Sequence, residues 1–353
     1  MTRQLKYKDA IREAHAQILR DDPRSYVIGL GVPGPTGIFG TTKGLQKEFG
    51  EDRVFDMPAS ENAMTGVALG TALLGRRPIM VHMRFDFAVL SMEPLVNQIA
   101  KWHYMYGGHM RAPLTVRMIV GRGWGQGPQH SQSLQAWLAH VPGLKVVMPT
   151  TAHDVKGMLI AAARDDSPVV LVEHRWLYEV TGLVPEEAYT TPLDKAAVVR
   201  SGTDVTLAAT SYMTLESLRA AEMLSGIGIE AEVVDLRSLT PIDHVTLDAS
   251  IARTGRLVVS DTGHSVFGVC AEVVASVTET AFENLKCAPR RIGLPHLPTP
   301  TTPALADLYY PRAINIARAA AAMLEAEHRL PPEDRSRPGG WLDAPDPSFT
   351  GPY

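Results

Sequence analysis

Short apolar segments alternate with segments of helical periodicity along this chain, and the alternation stops once and then starts again. In the first half, apolar runs such as Leu114 to Val120 and Val169 to Glu173 flank a helical pattern from about Asp154 to Arg164. Such alternation is typical of parallel strands joined by crossover helices. The second half resumes it with an apolar run from Val205 to Ala209. The sequence therefore predicts an α/β fold with two doubly wound parallel-sheet domains.

The 353-residue length accommodates two domains of ordinary size. Residues 181–195 are polar, contain proline and lack a clear period, so we predict a linker between domains at 1–180 and 196–329. Residues 330–353 are dense in proline, glycine and charge. We expect this tail either to be disordered or to lie over another subunit through Trp341 and Phe349.

Composition excludes several classes of function. The net charge of −4 and the lack of a dense basic run argue against nucleic acid as a partner. The N-terminus has no signal-peptide pattern, and no apolar run approaches the roughly 20 residues of a membrane span, so we expect a soluble, cytoplasmic protein. Cys270 and Cys287 belong to no CxxC pair and have no clustered histidines, which predicts free thiols in place of a disulfide or zinc site.

Three features follow predicted strands in the first half: Glu61, the pair Phe85 and Phe87, and His130. The carboxyl ends of parallel strands meet at one edge, where ligands bind in open α/β sheets. A carboxylate, an aromatic face and a histidine there would suit a planar heteroaromatic cofactor that undergoes proton transfer. The residues alone leave two structural alternatives open. In the first, Ser60 caps a helix and Glu61 interacts with the positive end of that helix. In the second, neighbouring hydroxyls form the hydrogen bonds of His130.

The sequence resembles the β subunit of the thiamine diphosphate-dependent, decarboxylating component of 2-oxo acid dehydrogenase complexes, of pyruvate, branched-chain and acetoin types. The resemblance runs in order over roughly residues 5–325. Its segments include RVFDMPASENAMTGVALGTALLGRRPI, GPQHSQSLQAWLAHVPGLKVV, VVDLRSLTPID and LPHLPTPTTPALADLYYP. It implies a transketolase-like pyrimidine-binding domain followed by a transketolase-type C-terminal domain.

The resemblance also implies roles for individual residues. Glu61 would hydrogen-bond the ring nitrogen of the cofactor's aminopyrimidine, so that the amino nitrogen can remove the proton from the thiazolium carbon. Phe87 would pack on the aminopyrimidine, with Phe85 and Met83 on the same wall. His130 would face the reacting carbon, orient the 2-oxo acid and handle protons or the acyl acceptor.

A potassium-binding loop and a partner chain are implied as well. The structural potassium site would use the carbonyls of Leu114, Ala162 and Ala163 together with Asp165 and Ser167. The family's partner chain holds magnesium and the diphosphate through a GDG motif, which this sequence lacks. The resemblance therefore implies an α subunit in an α2β2 heterotetramer, with the cofactor at the interface.

Two departures from the family pattern remove negative charge near the cofactor. Leu30-Gly31 stands where acidic residues are common, and Val81 beside His82 stands where a glutamate is often found. The leading hypothesis is oxidative decarboxylation of a 2-oxo acid with acyl transfer to a lipoyl partner. The alternatives are an acyloin-forming or transketolase-like biosynthetic subunit that uses a small-molecule acceptor, and a non-catalytic assembly subunit.

Overall fold

A computed structural model describes residues 1–123 and 126–331 of the protein. These residues divide into two compact units. Residues 1–123 and 129–193 belong to the first unit, and residues 126–128 and 194–331 to the second. Trp341 and Phe349, on which the interpretation of the tail depends, lie outside the described residues.

The first unit carries eight strands and seven helices within its described residues. They are, in chain order, β1 (Thr2–Lys6), α1 (Tyr7–Asp21), β2 (Ser25–Ile28), α2 (Leu45–Phe49), β3 (Val54–Phe55), α3 (Glu61–Leu73), β4 (Arg77–His82), α4 (Phe85–Ala88), α5 (Trp102–Met105), β5 (Thr115–Val120), α6 (Gln135–Ala139), β6 (Lys145–Val147), α7 (Ala152–Arg164), β7 (Val169–His174) and β8 (Thr181–Pro185). Six of the strands pair in the order β6-β7-β5-β4-β2-β3, and every pair is parallel.

The central strands of this sheet are covered on both faces. All six residues of β5 and all six of β7 are buried, as expected for parallel strands with helices on either side. Helix α1 lies on one face, where its His15 approaches Arg117 of β5 at 3.3 Å. Helix α3 lies on the other, where its Thr65 hydroxyl contacts the sulfur of Met80 in β4 at 3.2 Å.

Two parts of the first unit differ from the sequence prediction. The segment predicted as a linker begins with β8, which pairs antiparallel with β1, and residues up to Leu193 belong to the first unit. The helix predicted from Glu93 to Tyr106 is interrupted. Pro94–Ile99 forms a π-helix, in which the Ala100 N–H donates to the Leu95 carbonyl five residues back, before α5 begins.

The second unit is a five-stranded sheet with helices on both faces. Its elements are β9 (Ala197–Arg200), β10 (Val205–Ala209), α8 (Tyr212–Ser225), β11 (Ala231–Asp235), β12 (Ser238–Thr240), α9 (His244–Thr254), β13 (Leu257–His264), α10 (Val269–Ala281), β14 (Arg290–Leu294), α11 (Pro303–Tyr309) and α12 (Ala313–Ala322). The sheet order is β14-β13-β10-β11-β9. Strand β9 is antiparallel to β11, so the sheet is mixed at this edge and parallel elsewhere.

Small side chains let two helices of the second unit pack closely on its sheet. Ala313, Ala317 and Ala320 of α12 are fully buried in one core cluster with residues of α8, β10 and β11.

No helix among the described residues is long and apolar enough to cross a membrane. Cys270 is buried and Cys287 is half-buried, and both thiols are free.

Candidate active site

Glu61 is the first residue of α3, and α3 starts at the carboxyl edge of the parallel sheet because it follows β3. The Glu61 side chain is only 6% exposed. Its carboxylate makes no hydrogen bond or ion pair with any residue in the described part of the chain. Ser60 occupies the N-cap position without a side-chain capping bond. The Ser60 side chain therefore does not cap α3, and the Glu61 carboxylate at the positive end of the helix has no protein partner within residues 1–123 and 126–331, which leaves it available to a ligand.

The end of β4 leads directly into the predicted aromatic wall. Phe87 is half-buried and presents part of its ring, whereas Phe85 is fully buried. The Phe85 ring lies in the core, so its place on the cofactor wall stays a prediction. Met83 is half-buried. Its methyl lies 3.5 Å from the point that a Cβ on Gly31 would occupy.

His130 lies beside Phe87. Their ring centroids are 5.4 Å apart and their planes are tilted by 57°. The imidazole is exposed and makes no hydrogen bond with any described residue, so neighbouring hydroxyls do not satisfy it. The structure thus brings together two of the residues that the resemblance had pointed to, and it leaves the histidine available to a substrate.

Asp86 and Gln132 hold His130 in this place. The Gln132 side-chain amide donates to Asp86 Oδ1 at 2.9 Å, and its backbone N–H donates to the same oxygen at 3.3 Å. Burial raises the pKa of Asp86, and the bonds from Gln132 oppose that shift. Neither residue was predicted as a functional residue. The only signal was that a carboxylate stood between the two phenylalanines.

Two further bonds position the loops around the site. The Gly31 N–H donates to Asp56 Oδ1 at 2.9 Å, which ties the loop after β2 to the segment that precedes Glu61. The buried Arg84 side chain donates to the carbonyl of Gly121. Gly121 has a φ of 93°, and a Cβ there would lie 2.7 Å from the His174 ring, so only glycine fits at this turn.

His82 is a second residue that the sequence prediction did not assign. It is the last residue of β4 and is only 2% exposed. Both of its ring nitrogens are buried without a hydrogen-bond partner among the described residues. Desolvation by burial lowers its pKa to about 4, so the imidazole is neutral at physiological pH.

The residues predicted for potassium are close together, but other cations already contact them. The Arg77 guanidinium donates to the carbonyls of Ala163 and Asp165 at 3.2 and 3.0 Å. Lys145 bonds the Asp165 carboxylate. The Leu114 carbonyl accepts from Val169, and the Ala162 carbonyl accepts from the Asp165 N–H. The Ser167 N–H donates to Asp165 Oδ1 at 2.8 Å. A potassium ion on these oxygens would repel Arg77, so this arrangement does not fit the predicted metal.

The residues at the strand ends do fit the pyrimidine end of thiamine diphosphate. A buried carboxylate without a protein partner is suited to a ring nitrogen, and the exposed part of Phe87 is suited to an aromatic face. His130 is within reach of whatever packs on Phe87. By contrast, no group of three or more histidine, cysteine or acidic side chains among the described residues could hold a metal ion.

Family models and related proteins agree with this fit. Residues 3–181 match the transketolase pyrimidine-binding domain, and residues 194–316 match the transketolase C-terminal domain. A split-gene transketolase described as an inactive β4 tetramer has a similar fold, with a TM-score of 0.75 at 24% identity over 92% of this chain and 99% of that one.

Three relatives found by sequence share more of this chain's residues than the split-gene transketolase does. The chain is 42% identical to the β subunit of acetoin:2,6-dichlorophenolindophenol oxidoreductase from Cupriavidus necator, over 91% of this chain and 97% of that protein. It is 40% identical to the β subunit of the pyruvate dehydrogenase E1 component from Bacillus subtilis, over 91% and 99%. The mitochondrial β-1 subunit of the same component from Arabidopsis thaliana is 39% identical over 90% and 88%. The chain belongs to the transketolase-like family of β subunits of thiamine diphosphate-dependent 2-oxo acid dehydrogenases.

Proposed function

We propose that this chain provides the proton-handling half of a two-chain active site, and that an α subunit provides the other half. The observation that carries the proposal is the buried Glu61 carboxylate, which has no partner among the described residues. The missing GDG motif supports a site shared between two chains, because the α subunit would then hold magnesium and the diphosphate. An α2β2 heterotetramer is the assembly proposed.

Bound thiamine diphosphate would supply an acidic thiazolium carbon that adds to a substrate carbonyl and accepts the electrons released by carbon–carbon cleavage. In this chain, Glu61 would share a proton with the aminopyrimidine ring nitrogen. The low exposure of Glu61 would limit the water that competes for that proton. Phe87 would pack against the ring and keep the nitrogen in line with the carboxylate.

His130 would bind the substrate side of the same site. Its exposed imidazole can donate to a substrate carboxylate or carbonyl, or accept a proton from the acyl acceptor. The bonds between Asp86 and Gln132 keep His130 beside Phe87, which fixes the direction from which substrate approaches. Met83 would complete the wall from the side of Gly31.

The substrate and acceptor are proposed in two forms. The first is oxidative decarboxylation of a 2-oxo acid with acyl transfer to a lipoyl-bearing protein. The second is cleavage of an acyloin, and it is supported by the 42% and 40% identities to subunits named for acetoin. Leu30 and Val81 stand where the family commonly has acidic residues, so the site carries less negative charge than the family pattern. The lower charge is compatible with both proposed substrates, the anionic 2-oxo acid and the uncharged acyloin. Potassium is not part of the proposal, because Arg77 contacts its expected ligands.

Co-expression with an adjacent α-like gene tests this proposal. The purified complex would be assayed by dye reduction with thiamine diphosphate and magnesium over a set of 2-oxo acids and acetoin. We expect activity only when both chains are present, and loss of activity in the His130→Ala variant with assembly retained. Turnover by this chain alone would contradict the two-chain site. The cytoplasmic localisation stays a prediction, testable by fractionation of the native cell.

A further inference from the structure

His82 lies on the same face of the first sheet as α3. Side chains alternate between the two faces of a strand, so His82 and Met80 point the same way. The Met80 sulfur contacts the Thr65 hydroxyl of α3 at 3.2 Å. Val81 points to the other face, because it pairs in register with Arg117, whose guanidinium lies against His15 of α1.

The contact between Met80 and Thr65 also indicates how far along the sheet His82 lies. Strand β4 advances about 6 to 7 Å in the two residues from Met80 to His82. Helix α3 covers about 6 Å in the four residues from Thr65 back to Glu61, and it runs in the opposite direction to the strand. Glu61 and Thr65 also share one face of the helix, since they are four residues apart. From this spacing we infer that Glu61 and His82 lie at a similar level of the carboxyl edge, on the face that α3 covers.

His82 is unlike an ordinary core histidine. In fully buried His15, Nδ1–H donates to the Ile11 carbonyl at 2.9 Å and Nε2 accepts from Arg117 at 3.3 Å. Both nitrogens of His82, in contrast, have no partner among the described residues. A buried polar group is normally hydrogen-bonded. An imidazole that has an unused N–H and lies at a similar level to an unpartnered carboxylate points to an interaction that forms in the working site.

We propose that His82 is a positioning residue for Glu61, whose carboxylate accepts a hydrogen bond from the imidazole directly or through one buried water. The proposal rests on the proposed function of Glu61. The bond would hold the carboxylate toward the aminopyrimidine while its other oxygen takes part in proton sharing. Because His82 is neutral, it orients Glu61 without adding a positive charge that would keep the carboxylate from taking up a proton.

The test uses the reconstituted two-chain enzyme with thiamine diphosphate and magnesium. It measures the rate at which the thiazolium hydrogen of the bound cofactor exchanges with deuterium, and separately the dissociation constant of the cofactor. His82→Phe removes the donor and retains the bulk, whereas His82→Asn and His82→Gln each keep an amide N–H near one of the two ring nitrogens. Met80→Leu is the matched control for packing on the same face.

We expect His82→Phe to slow exchange at least tenfold with cofactor affinity within threefold, and either the Asn or the Gln variant to recover most of the rate. Met80→Leu should behave as wild type. Exchange within twofold of wild type in His82→Phe would overturn the proposal. So would equal losses in the Phe, Asn and Gln variants, because these would indicate packing alone. If His82→Phe fails to assemble, His82→Leu replaces it as the variant without a donor, and the same outcomes apply.

The Glu61→Gln variant separates this inference from the function on which it rests. Slow exchange in Glu61→Gln together with normal exchange in His82→Phe would overturn only the role of His82. Normal exchange in Glu61→Gln would overturn the proposed function itself. Near-ultraviolet circular dichroism of the bound cofactor gives a second readout, which should change in His82→Phe and stay unchanged in Met80→Leu.

Discussion

Phe87 and His130 lie with ring centroids 5.4 Å apart, and His130 keeps this position without a hydrogen bond to any described residue. Its place is set two residues along the chain, where Gln132 bonds Asp86. Asp86 in turn precedes Phe87. A short clamp between the segment after β4 and the loop after β5 therefore aligns the aromatic surface with the histidine.

Breaking this clamp should reduce activity more than stability. In Asp86→Ala the loop loses both bonds from Gln132, and we expect kcat/KM to fall about tenfold or more, since small misplacements of a reacting group are costly. Asp86→Asn is the matched control, because its amide oxygen still accepts from Gln132. Steady-state kinetics of the reconstituted enzyme check this, and equal activity of the Ala and Asn variants would show that the clamp is dispensable.

Asp86 also predicts a pH dependence of stability. Burial raises its pKa in the folded chain, so the folded state binds this proton more tightly than the unfolded state. The stability that Asp86 contributes is then fully present below the ordinary aspartate pKa of about 3.9 and is lost as pH rises through the raised value. Asp86→Asn should equal or exceed wild type in the free energy of unfolding at pH 7, with the difference vanishing toward pH 4. Urea denaturation at both pH values measures this difference in the free energy of unfolding. An Asn variant that is less stable than wild type at pH 7 would contradict the expected direction.

Removal of one partner from the buried pair of Arg117 and Glu173 should strongly destabilise the first unit. Both side chains are fully buried, and Arg117 bonds Glu173 through Nε at 2.5 Å and Nη2 at 2.7 Å. Arg117→Met would leave the buried Glu173 carboxylate with its bond from the Tyr178 hydroxyl but without a positive partner, which costs about 3 to 5 kcal/mol.

A surface pair provides the control for that variant. Arg164 and Asp21 are 55% and 53% exposed at 3.3 Å, so Arg164→Met should cost about 0.5 kcal/mol or less. Chemical denaturation of the two variants makes the comparison. Similar losses in both would show that the buried pair contributes no more than a surface pair.

Arg77 should make the stability of this chain independent of potassium. Its guanidinium contacts the carbonyls of Ala163 and Asp165, so wild type should have the same Tm in potassium and sodium chloride at equal ionic strength. Arg77→Met should be less stable and should gain Tm in potassium. Arg111→Met is the control, because Arg111 is 59% exposed and bonds only Asp166 within the described residues. A higher Tm of wild type in potassium than in sodium would contradict the substitution of the metal by Arg77.

Most of the core elements were predictable because their burial produces long apolar runs. Strands β5 and β7 are buried throughout and β4 after its first residue, and each appears in the sequence as a mainly apolar segment. Strand β8 was missed because it alternates exposed and buried residues and pairs with a strand nearly 180 residues away. Its partner β1 lies in a polar N-terminal segment for the same reason.

The site was only partly predictable. Glu61 and His130 stand out because their residue types and places at strand ends suggest chemistry. The sequence does not show which of the two nearby phenylalanine rings keeps an exposed edge, as Phe87 does and Phe85 does not. The role of His82 depends on the register between α3 and β4, and that of Arg77 depends on a contact with a loop more than 80 residues away. Neither of these contacts produces a recognisable pattern in the sequence around His82 or Arg77.

The most direct test of the account is the rate of deuterium exchange at the thiazolium carbon in the reconstituted two-chain enzyme with Glu61→Gln. Glutamine is close in size and polarity but cannot share the proton. We expect exchange to fall at least about 100-fold, in the usual range for loss of an acid–base group, with assembly and cofactor affinity retained. Exchange at the wild-type rate in an assembled, cofactor-loaded Glu61→Gln enzyme would contradict it.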